Sequence, residues 1–309
     1  MKSSAKKSIV RRASDKNVWL EYSGGEIQPA QGAKNFEYEV LETEESVGQA
    51  MFDELVAYSK NKPGDIVIIL LGGRGAQAMY KIINRLSQTG AIDDLLARLH
   101  VFTQDALAPL AMNNGLSFVR DFERLLGDKF FEKIKSFTPM LTETDDLEGE
   151  LINYLEKLED LGGIDIFFLG LGPEAEAASH LAYIKPNSGA KRDDFAGIIP
   201  ISTSILEHHI NKFKVGGSEV SEPDETECRN ATHILTLGPA AILSAKRIVQ
   251  SIVDASTAPA KCASFKRLTE TALSGDENEL EKQLDANPGL WIRLHGNVRS
   301  LILPDVLAN

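Results

Sequence analysis

Two short apolar runs, each followed by glycines, dominate the hydrophobic pattern of the chain. Residues 66–71 are entirely apolar, and residues 164–169 are apolar apart from Asp165. Runs of this length predict strands buried on both faces, and the glycines predict a sharp end to each strand. Elsewhere apolar residues recur at helical spacing, as at Met79, Tyr80, Ile83 and Leu86. This alternation predicts an α/β fold: a three-layer, Rossmann-like, mostly parallel sheet with helices on both faces.

Further segments fit the same alternation. Strands are predicted at residues 18–22, 36–40, 100–103, 232–237 and 298–303, and helices at residues 47–56, 116–126 and 147–158. We interpret the acidic stretch 219–227 as a solvated loop. No internal repeat stands out. The chain is therefore divided into an N-terminal extension over residues 1–45, partly disordered or strand-like, and one α/β domain over residues 46–309.

Composition limits the classes of function. The 309 residues are 43% hydrophobic and 25% charged, which is typical of a globular protein with a large core. The formal net charge of -12 argues against a nucleic-acid partner, because binding to a phosphate backbone needs clustered Lys and Arg. A small anionic ligand needs only a local basic pocket and stays compatible with this charge.

Cysteine usage and hydropathy indicate the cellular setting. Cys228 and Cys262 are too few for a disulfide framework and lack the spacing of a zinc site, so we expect no metal. No stretch approaches the roughly 18 apolar residues of a membrane span. We expect a cytoplasmic protein with no membrane partner. The opening residues are basic up to Asp15, which fits an organellar transit peptide or, as we prefer, a disordered tail.

The segment LLGGRGAQAMY follows the first buried strand. Gly72, Gly73 and Gly75 let a backbone approach an anion closely, and Arg74 offers a charge-assisted grip. The segment is neither a Walker loop nor a GxGxxG dinucleotide turn, and we predict no cofactor. A plain strand-to-helix turn with Arg74 in solvent is the alternative.

Asp105, in the segment FTQDALAPL, comes just after a predicted strand. A carboxylate at a strand end faces the ligand cleft of an α/β sheet and can act there as a general base. The alternative is a residue that caps a turn, a common role for Asp.

The segment GLGPEAEAASH ends the second buried strand and contains Glu174, Glu176 and His180. An imidazole near neutral pH can accept or donate a proton, and a carboxylate can orient it. The alternatives are a histidine satisfied in the core and two acids in the first turn of a helix.

Together these three segments resemble the superfamily of glucosamine-6-phosphate deaminase and 6-phosphogluconolactonase. Its members pair a Gly-Gly-Ser-type phosphate turn, an Asp-Glu turn and a Gly-x-Gly-x-Asp-Gly-His strand end. HLAYIKP resembles the His-Ile-Ala-Phe-Asn-Glu-Pro run of the deaminase branch, and SILEHHINKF, TLGPAAILSAKRIV and LHGNVRSLILPD resemble later segments. The resemblance covers about residues 47–305.

The resemblance implies roles for individual residues. Asp105 takes the position of the acid that moves a proton between carbons 2 and 1 of the opened sugar, and His180 that of the histidine that helps open the ring. In a second register, Glu174 replaces the family aspartate and Glu176 the histidine. Residues 72–75 take the position of the turn that holds the 6-phosphate.

Several family residues differ in this chain. Ala106 replaces the second acid of the Asp-Glu pair, and Arg74 replaces the serine of the phosphate turn. Lys185 replaces the glutamate that partners the histidine and would modulate it. Lys261 is the candidate for the family's phosphate lysine.

Three functions follow. The first is isomerisation or deamination of an aldose or amino-sugar 6-phosphate by enolisation, without a cofactor. The second is hydrolysis of a 6-phosphogluconolactone-like ester, and the third is non-catalytic sugar-phosphate binding by a regulator. Family members often assemble, so a homo-oligomer is compatible with the resemblance.

Overall fold

A computed structural model describes residues 8–13, 17–22, 36–173, 179–256 and 258–308. The strands are β1 Ile9–Ala13, β2 Val18–Tyr22, β3 Tyr38–Val40, β4 Ile66–Leu70, β5 Leu99–Thr103, β6 Asp105–Ala108, β7 Ser136–Thr138, β8 Ile166–Leu169, β9 Gly172–Pro173, β10 Ser179–His180, β11 Asp194–Pro200, β12 His233–Leu237, β13 Arg247–Ile252 and β14 Val298–Ile302. The helices are α1 Glu44–Asn61, α2 Gln77–Thr89, α3 Asp93–Leu96, α4 Phe118–Leu126, α5 Asp128–Lys133, α6 Leu147–Asp160, α7 Thr203–Val215, α8 Glu222–Arg229, α9 Pro239–Ser244, α10 Ala260–Glu270 and α11 Glu277–Ala286.

A seven-stranded parallel sheet forms the centre of the molecule, in the order β3-β14-β13-β8-β4-β5-β7. Every residue of β4, β5 and β8 is buried, as expected for strands covered on both faces. Because the strands are parallel, the carboxyl ends of β4, β5, β8 and β13 lie at one edge of the sheet. The predicted fold class is confirmed.

A second, antiparallel sheet in the order β1-β2-β11-β12-β6 was not predicted. Residues 232–237 form a strand as predicted, but this strand belongs to the second sheet, where β12 pairs antiparallel with both β11 and β6. Strands buried on both faces show the same apolar run in either kind of sheet, so periodicity alone does not separate the two.

The first two strands, which lie within the predicted extension, belong to this second sheet, whereas β3 joins the parallel sheet. β2 pairs with β1 on one side and β11 on the other. The side chain of Trp19 is 1% exposed, and a Cβ at Gly197 would lie 2.5 Å from its ring. Arg12 adds an ion pair with the buried carboxylate of Asp194. The N-terminal hairpin therefore packs into the core.

The interpretation of residues 219–227 as a solvated loop is also wrong, since most of this stretch lies in α8. Ser221 and Asp224 form a reciprocal capping box at the start of this helix. Acids in a first helical turn interact favourably with the helix dipole, which explains why a charged run is helical here. None of the helices in the described ranges has the length and apolar character needed to cross a membrane.

We predict that Trp19→Ala lowers the free energy of unfolding by about 3 to 5 kcal/mol, because a large buried ring leaves a cavity that its neighbours fill only in part. Urea unfolding followed by circular dichroism measures the change. The control is Val10→Ala on the neighbouring strand, where the side chain is 47% exposed. A Trp19→Ala protein as stable as the control would show that the hairpin is an independent appendage.

Candidate active site

A pocket opens at the carboxyl edge of the parallel sheet. It collects residues from the ends of β4, β5, β8 and β13 and from α7 and α10. The lining residues are Leu71, Gly72, Arg74, Gly75, Gln104, Asp105, Gly170, Leu171, Gly172, His180, Ala182, Tyr183, His208, Lys212, Ser251, Asp254 and Lys261. Most of the residues predicted as site residues thus lie around one cavity, while their roles stay predictions.

The glycine turn after β4 forms one wall. A Cβ at Gly72 would lie 2.1 Å from the ring of Phe118, so only glycine fits without moving that ring. Gly73 has a φ of 81°, the left-handed region, and its missing side chain leaves room for the aliphatic part of Lys212. Ser251 on β13 fixes the turn by donating a 2.7 Å hydrogen bond to the carbonyl oxygen of Gly75.

Arg74 lines the same wall, but it is already paired. Its guanidinium forms an ion pair with Glu44 in the first turn of α1. This hydrogen-bonded pairing raises the pKa of Arg74. Glu44 therefore neutralises much of the charge that Arg74 would offer to an anion.

Asp105 is the first residue of β6 and is 2% exposed. Its Oδ1 has no hydrogen-bond partner among the described residues. Burial raises the pKa of Asp105 to about 7, against the opposing effects of the Lys212 ammonium and of a hydrogen bond with Gln104. A buried carboxyl with a free oxygen and a near-neutral pKa has the properties of a general acid or base.

His180, on the short strand β10, also lines the pocket. Its ring occupies the space above Gly172, where a Cβ would come within 1.9 Å of Nε2. Nε2 is buried without a hydrogen-bond partner among the described residues. Burial, together with the charges of neighbouring side chains such as His208 and Lys212, lowers the pKa of His180 well below its usual value. The ring is therefore neutral at pH 7 and can exchange a proton with a ligand.

Lys212 on α7 is a central pocket residue that was not predicted. Its Nζ lies 4.8 Å from the ring centroids of both Phe118 and Tyr183, and it donates a 2.8 Å hydrogen bond to Tyr183 Oη. Burial lowers the pKa of Lys212 to about 8, although the carboxylate of Asp105 opposes this shift. Lys212 lies in the segment SILEHHINKF, which resembles a segment of the deaminases, but the sequence analysis assigned no role to its charged side chain.

Lys261 and Asp254 form a buried ion pair in the pocket wall. Burial raises the pKa of Asp254, but the attraction of Lys261 outweighs this and holds it below its usual value. Lys261 was predicted from the sequence and Asp254 was not. Asp254 follows the strand β13 within a run that carries no motif, so only the folded structure brings it to the lysine.

His208 is a second pocket histidine that was not predicted. Its ring centroid lies 6.2 Å from that of His180. Burial lowers the pKa of His208 to about 3, and the charges of Lys212 and Lys261 act in the same direction. Two neutral imidazoles therefore face the cavity.

Two predicted site residues of the described part are not brought into this lining. Gly73 lies in the turn but outside the pocket surface, and Lys185 donates a 2.6 Å hydrogen bond to the carbonyl oxygen of Pro200 instead of lining the pocket with His180. The reason is local: residues 181–184 make a tight turn, which separates Lys185 from the histidine. Glu174 and Glu176 lie outside the described residues. Within the described ranges, no group of three or more His, Cys, Asp or Glu side chains is placed to hold a metal ion.

No protein-family model matches the chain. Among curated proteins, a glucosamine-6-phosphate deaminase of Clostridium beijerinckii is 25% identical over 266 residues, which are 85% of this chain and 93% of the relative. Glucosamine-6-phosphate deaminase 1 of Bacillus subtilis is 27% identical over 248 residues, which are 79% of this chain and 86% of the relative.

Solved structures show the same fold. A monomeric glucosamine-6-phosphate deaminase has a TM-score of 0.66 at 21% identity, covering 88% of this chain and 98% of its own. A 6-phosphogluconolactonase from Trypanosoma cruzi has a TM-score of 0.65 at 12% identity, covering 90% of this chain and 99% of its own. The chain therefore resembles, at low sequence identity, the superfamily of glucosamine-6-phosphate deaminases and 6-phosphogluconolactonases, and it has the fold that these two kinds of protein share.

Proposed function

We propose that this protein binds an aldose or amino-sugar 6-phosphate and isomerises or deaminates it by enolisation. The observation that carries the proposal is the content of one pocket: a carboxyl with a near-neutral pKa, a neutral imidazole and a cationic wall beside a glycine turn. These are the groups needed to move a proton between adjacent carbons of a sugar and to hold its phosphate.

The phosphate is assigned to the end of the pocket formed by the glycine turn. Backbone N–H groups there precede α2, and the positive end of a helix dipole favours an anion. Lys212 lies beside this turn and forms its hydrogen bond and ring contacts with neutral groups. Arg74 and Lys261 are already paired with carboxylates. Lys212 is therefore the cation most available to a phosphate.

Asp105 is assigned as the base. As a carboxylate, its free Oδ1 removes the proton from carbon 2 of the open-chain sugar while electrons shift towards the carbonyl oxygen on carbon 1, which takes up a proton from water to give an enediol or enolamine. The resulting carboxylic acid then returns the proton to carbon 1, while oxygen 2 or the amino nitrogen releases a proton to water. For an amino sugar the product is a ketimine, which water hydrolyses to a ketose and ammonia.

His180 is assigned to the opening of the sugar ring. The neutral imidazole with its unpartnered Nε2 can transfer a proton between the anomeric hydroxyl and the ring oxygen. The low pKa of His180 keeps the ring neutral, so it does not add a positive charge next to Lys212.

Two other functions share this pocket and give different experimental results. Ala106 is an alanine where the deaminases have an acid, which favours a binding protein without turnover. A panel of glucosamine 6-phosphate, glucose 6-phosphate and 6-phosphogluconolactone, with product detection and calorimetry, separates the three. Turnover of the lactone alone supports a hydrolase, and binding without turnover supports a regulator.

We predict that Asp105→Asn lowers kcat/KM by about 10²- to 10⁴-fold, because the amide has the shape of the carboxyl but cannot accept the proton. Binding of inorganic phosphate, measured by calorimetry, should be unchanged or slightly tighter, since a negative charge facing Lys212 is removed. The control is Asp53→Asn on the exposed face of α1. An unchanged rate in Asp105→Asn would reject the assignment of the base.

The pH dependence of kcat/KM is expected to be bell-shaped. Asp105 acts as a base only when deprotonated, so the rate should rise with pH through about 7. Lys212 attracts the phosphate only when protonated, so the rate should fall as pH rises through about 8. The two groups interact, and the measured values belong to the pair. Steady-state kinetics from pH 5.5 to 9.5 test this, and a profile flat across that range would contradict both assignments.

A further inference from the structure

Four groups in and behind the pocket wall are joined by hydrogen bonds. Lys212 Nζ lies 2.8 Å from Tyr183 Oη, which lies 2.8 Å from His209 Nδ1, and His209 Nε2 lies 2.7 Å from the carbonyl oxygen of Leu116. Tyr183 and His209 are 2% and 1% exposed. Lys212 and Tyr183 line the pocket, whereas His209 lies behind it.

The direction of each bond follows from the chemistry of the partners. A carbonyl oxygen only accepts, so His209 donates from Nε2 to Leu116. Burial and the nearby Lys212 charge lower the pKa of His209 well below its usual value, so the ring is neutral and its Nδ1 is an acceptor. Tyr183 therefore donates to His209 and presents an oxygen lone pair to Lys212. The Lys212 ammonium donates to Tyr183 and is the last group of this series of hydrogen bonds.

The backbone around Tyr183 indicates that its position is imposed by the fold. Ala182 and Tyr183 have φ angles of 46° and 57°, a region that residues other than glycine rarely adopt. The flanking residues Leu181 and Ile184 close the turn with two hydrogen bonds. Strained backbone of this kind is concentrated at functional sites.

Aromatic rings complete the surroundings of Lys212. Its Nζ lies over the faces of Phe118 and Tyr183, and 5.8 Å from the ring centroid of Phe213. The His209 ring stacks on Phe213 at 4.4 Å. Rings attract a cation without neutralising it, so these contacts hold the Lys212 ammonium in place.

We propose that Tyr183 and His209 are positioning residues, which fix the Lys212 ammonium at the end of the pocket where the dianionic phosphate of a sugar phosphate binds. A free lysine side chain has several rotatable bonds, and ordering them when the ligand arrives weakens binding. Here the Tyr183 hydroxyl orders the ammonium in advance. The proposal rests on the proposed function only in that the pocket binds phosphate, and it does not require turnover.

The test is Tyr183→Phe, which removes the hydroxyl and keeps the ring under the ammonium. The deaminase run His-Ile-Ala-Phe-Asn-Glu-Pro has phenylalanine at this position, so the fold is expected to tolerate the change. We expect inorganic phosphate and glucosamine 6-phosphate, titrated by calorimetry, to bind about tenfold more weakly. If the protein turns the sugar over, KM should rise by a similar factor while kcat stays within about twofold.

Two comparisons separate positioning from a general structural effect. In a Lys212→Met background, Tyr183→Phe should cause no further loss of phosphate affinity, since the group it positions is gone. Tyr22→Phe is the matched control, because it also removes a tyrosine hydroxyl that forms a hydrogen bond inside the protein, here to the carbonyl oxygen of Leu155, and neither residue lines the pocket. It should leave phosphate affinity unchanged.

The outcomes are distinct. A folded Tyr183→Phe protein with native phosphate affinity, or one whose loss persists fully without Lys212, would overturn the proposal. Native protein that does not bind phosphate would overturn it as well. Phosphate binding that depends on Tyr183 through Lys212 supports it even if no sugar phosphate is turned over, a result that would reject only the proposed enolisation.

Discussion

The parallel register of the central sheet is the constraint on which the site depends. β4 pairs with β5 so that Leu70 lies opposite Thr103, and β13 pairs with β8 so that Gln250 lies opposite Leu169. Segments that are far apart in sequence therefore end at the same height and supply the glycine turn, Asp105, Gly172 and Asp254 to one cavity. A register shift of one residue would also turn the side chains of a strand to the opposite face of the sheet.

Charge balance is the second organising feature of the pocket. Burial works against both the Asp105 carboxylate and the Lys212 ammonium, and each favours the charged form of the other. Arg74 and Lys261 are compensated by Glu44 and Asp254. A pocket that is close to neutral without ligand is cheaper to bury than a purely cationic one. Under the proposed function, an arriving dianion would meet a cation already held beside the glycine turn.

The sequence predicted those site residues that lie next to a local signal, such as the end of a buried strand. Buried strands that run into glycines or acids placed Gly72, Arg74, Gly75, Asp105 and His180 near one sheet edge, and these five residues line the pocket. It missed Lys212, His208 and Asp254, because helix α7 and the end of β13 reach the cavity only through tertiary packing. Lys185 lies outside the pocket lining, because a tight turn between His180 and Lys185 reverses the chain. The second sheet was missed because doubly buried strands look alike in any sheet.

Gly72, Phe118 and Lys212 lie far apart in sequence, but the conformation of each depends on the others. The ring occupies the volume that any side chain at position 72 would need, and the same ring lies under the Lys212 ammonium. Enlarging the residue in the turn would displace the aromatic floor and with it the cation. Evolutionary drift at these positions is therefore expected to be concerted: homologues with a bulkier residue in the turn should also show a smaller aromatic partner or a different basic group on the helix.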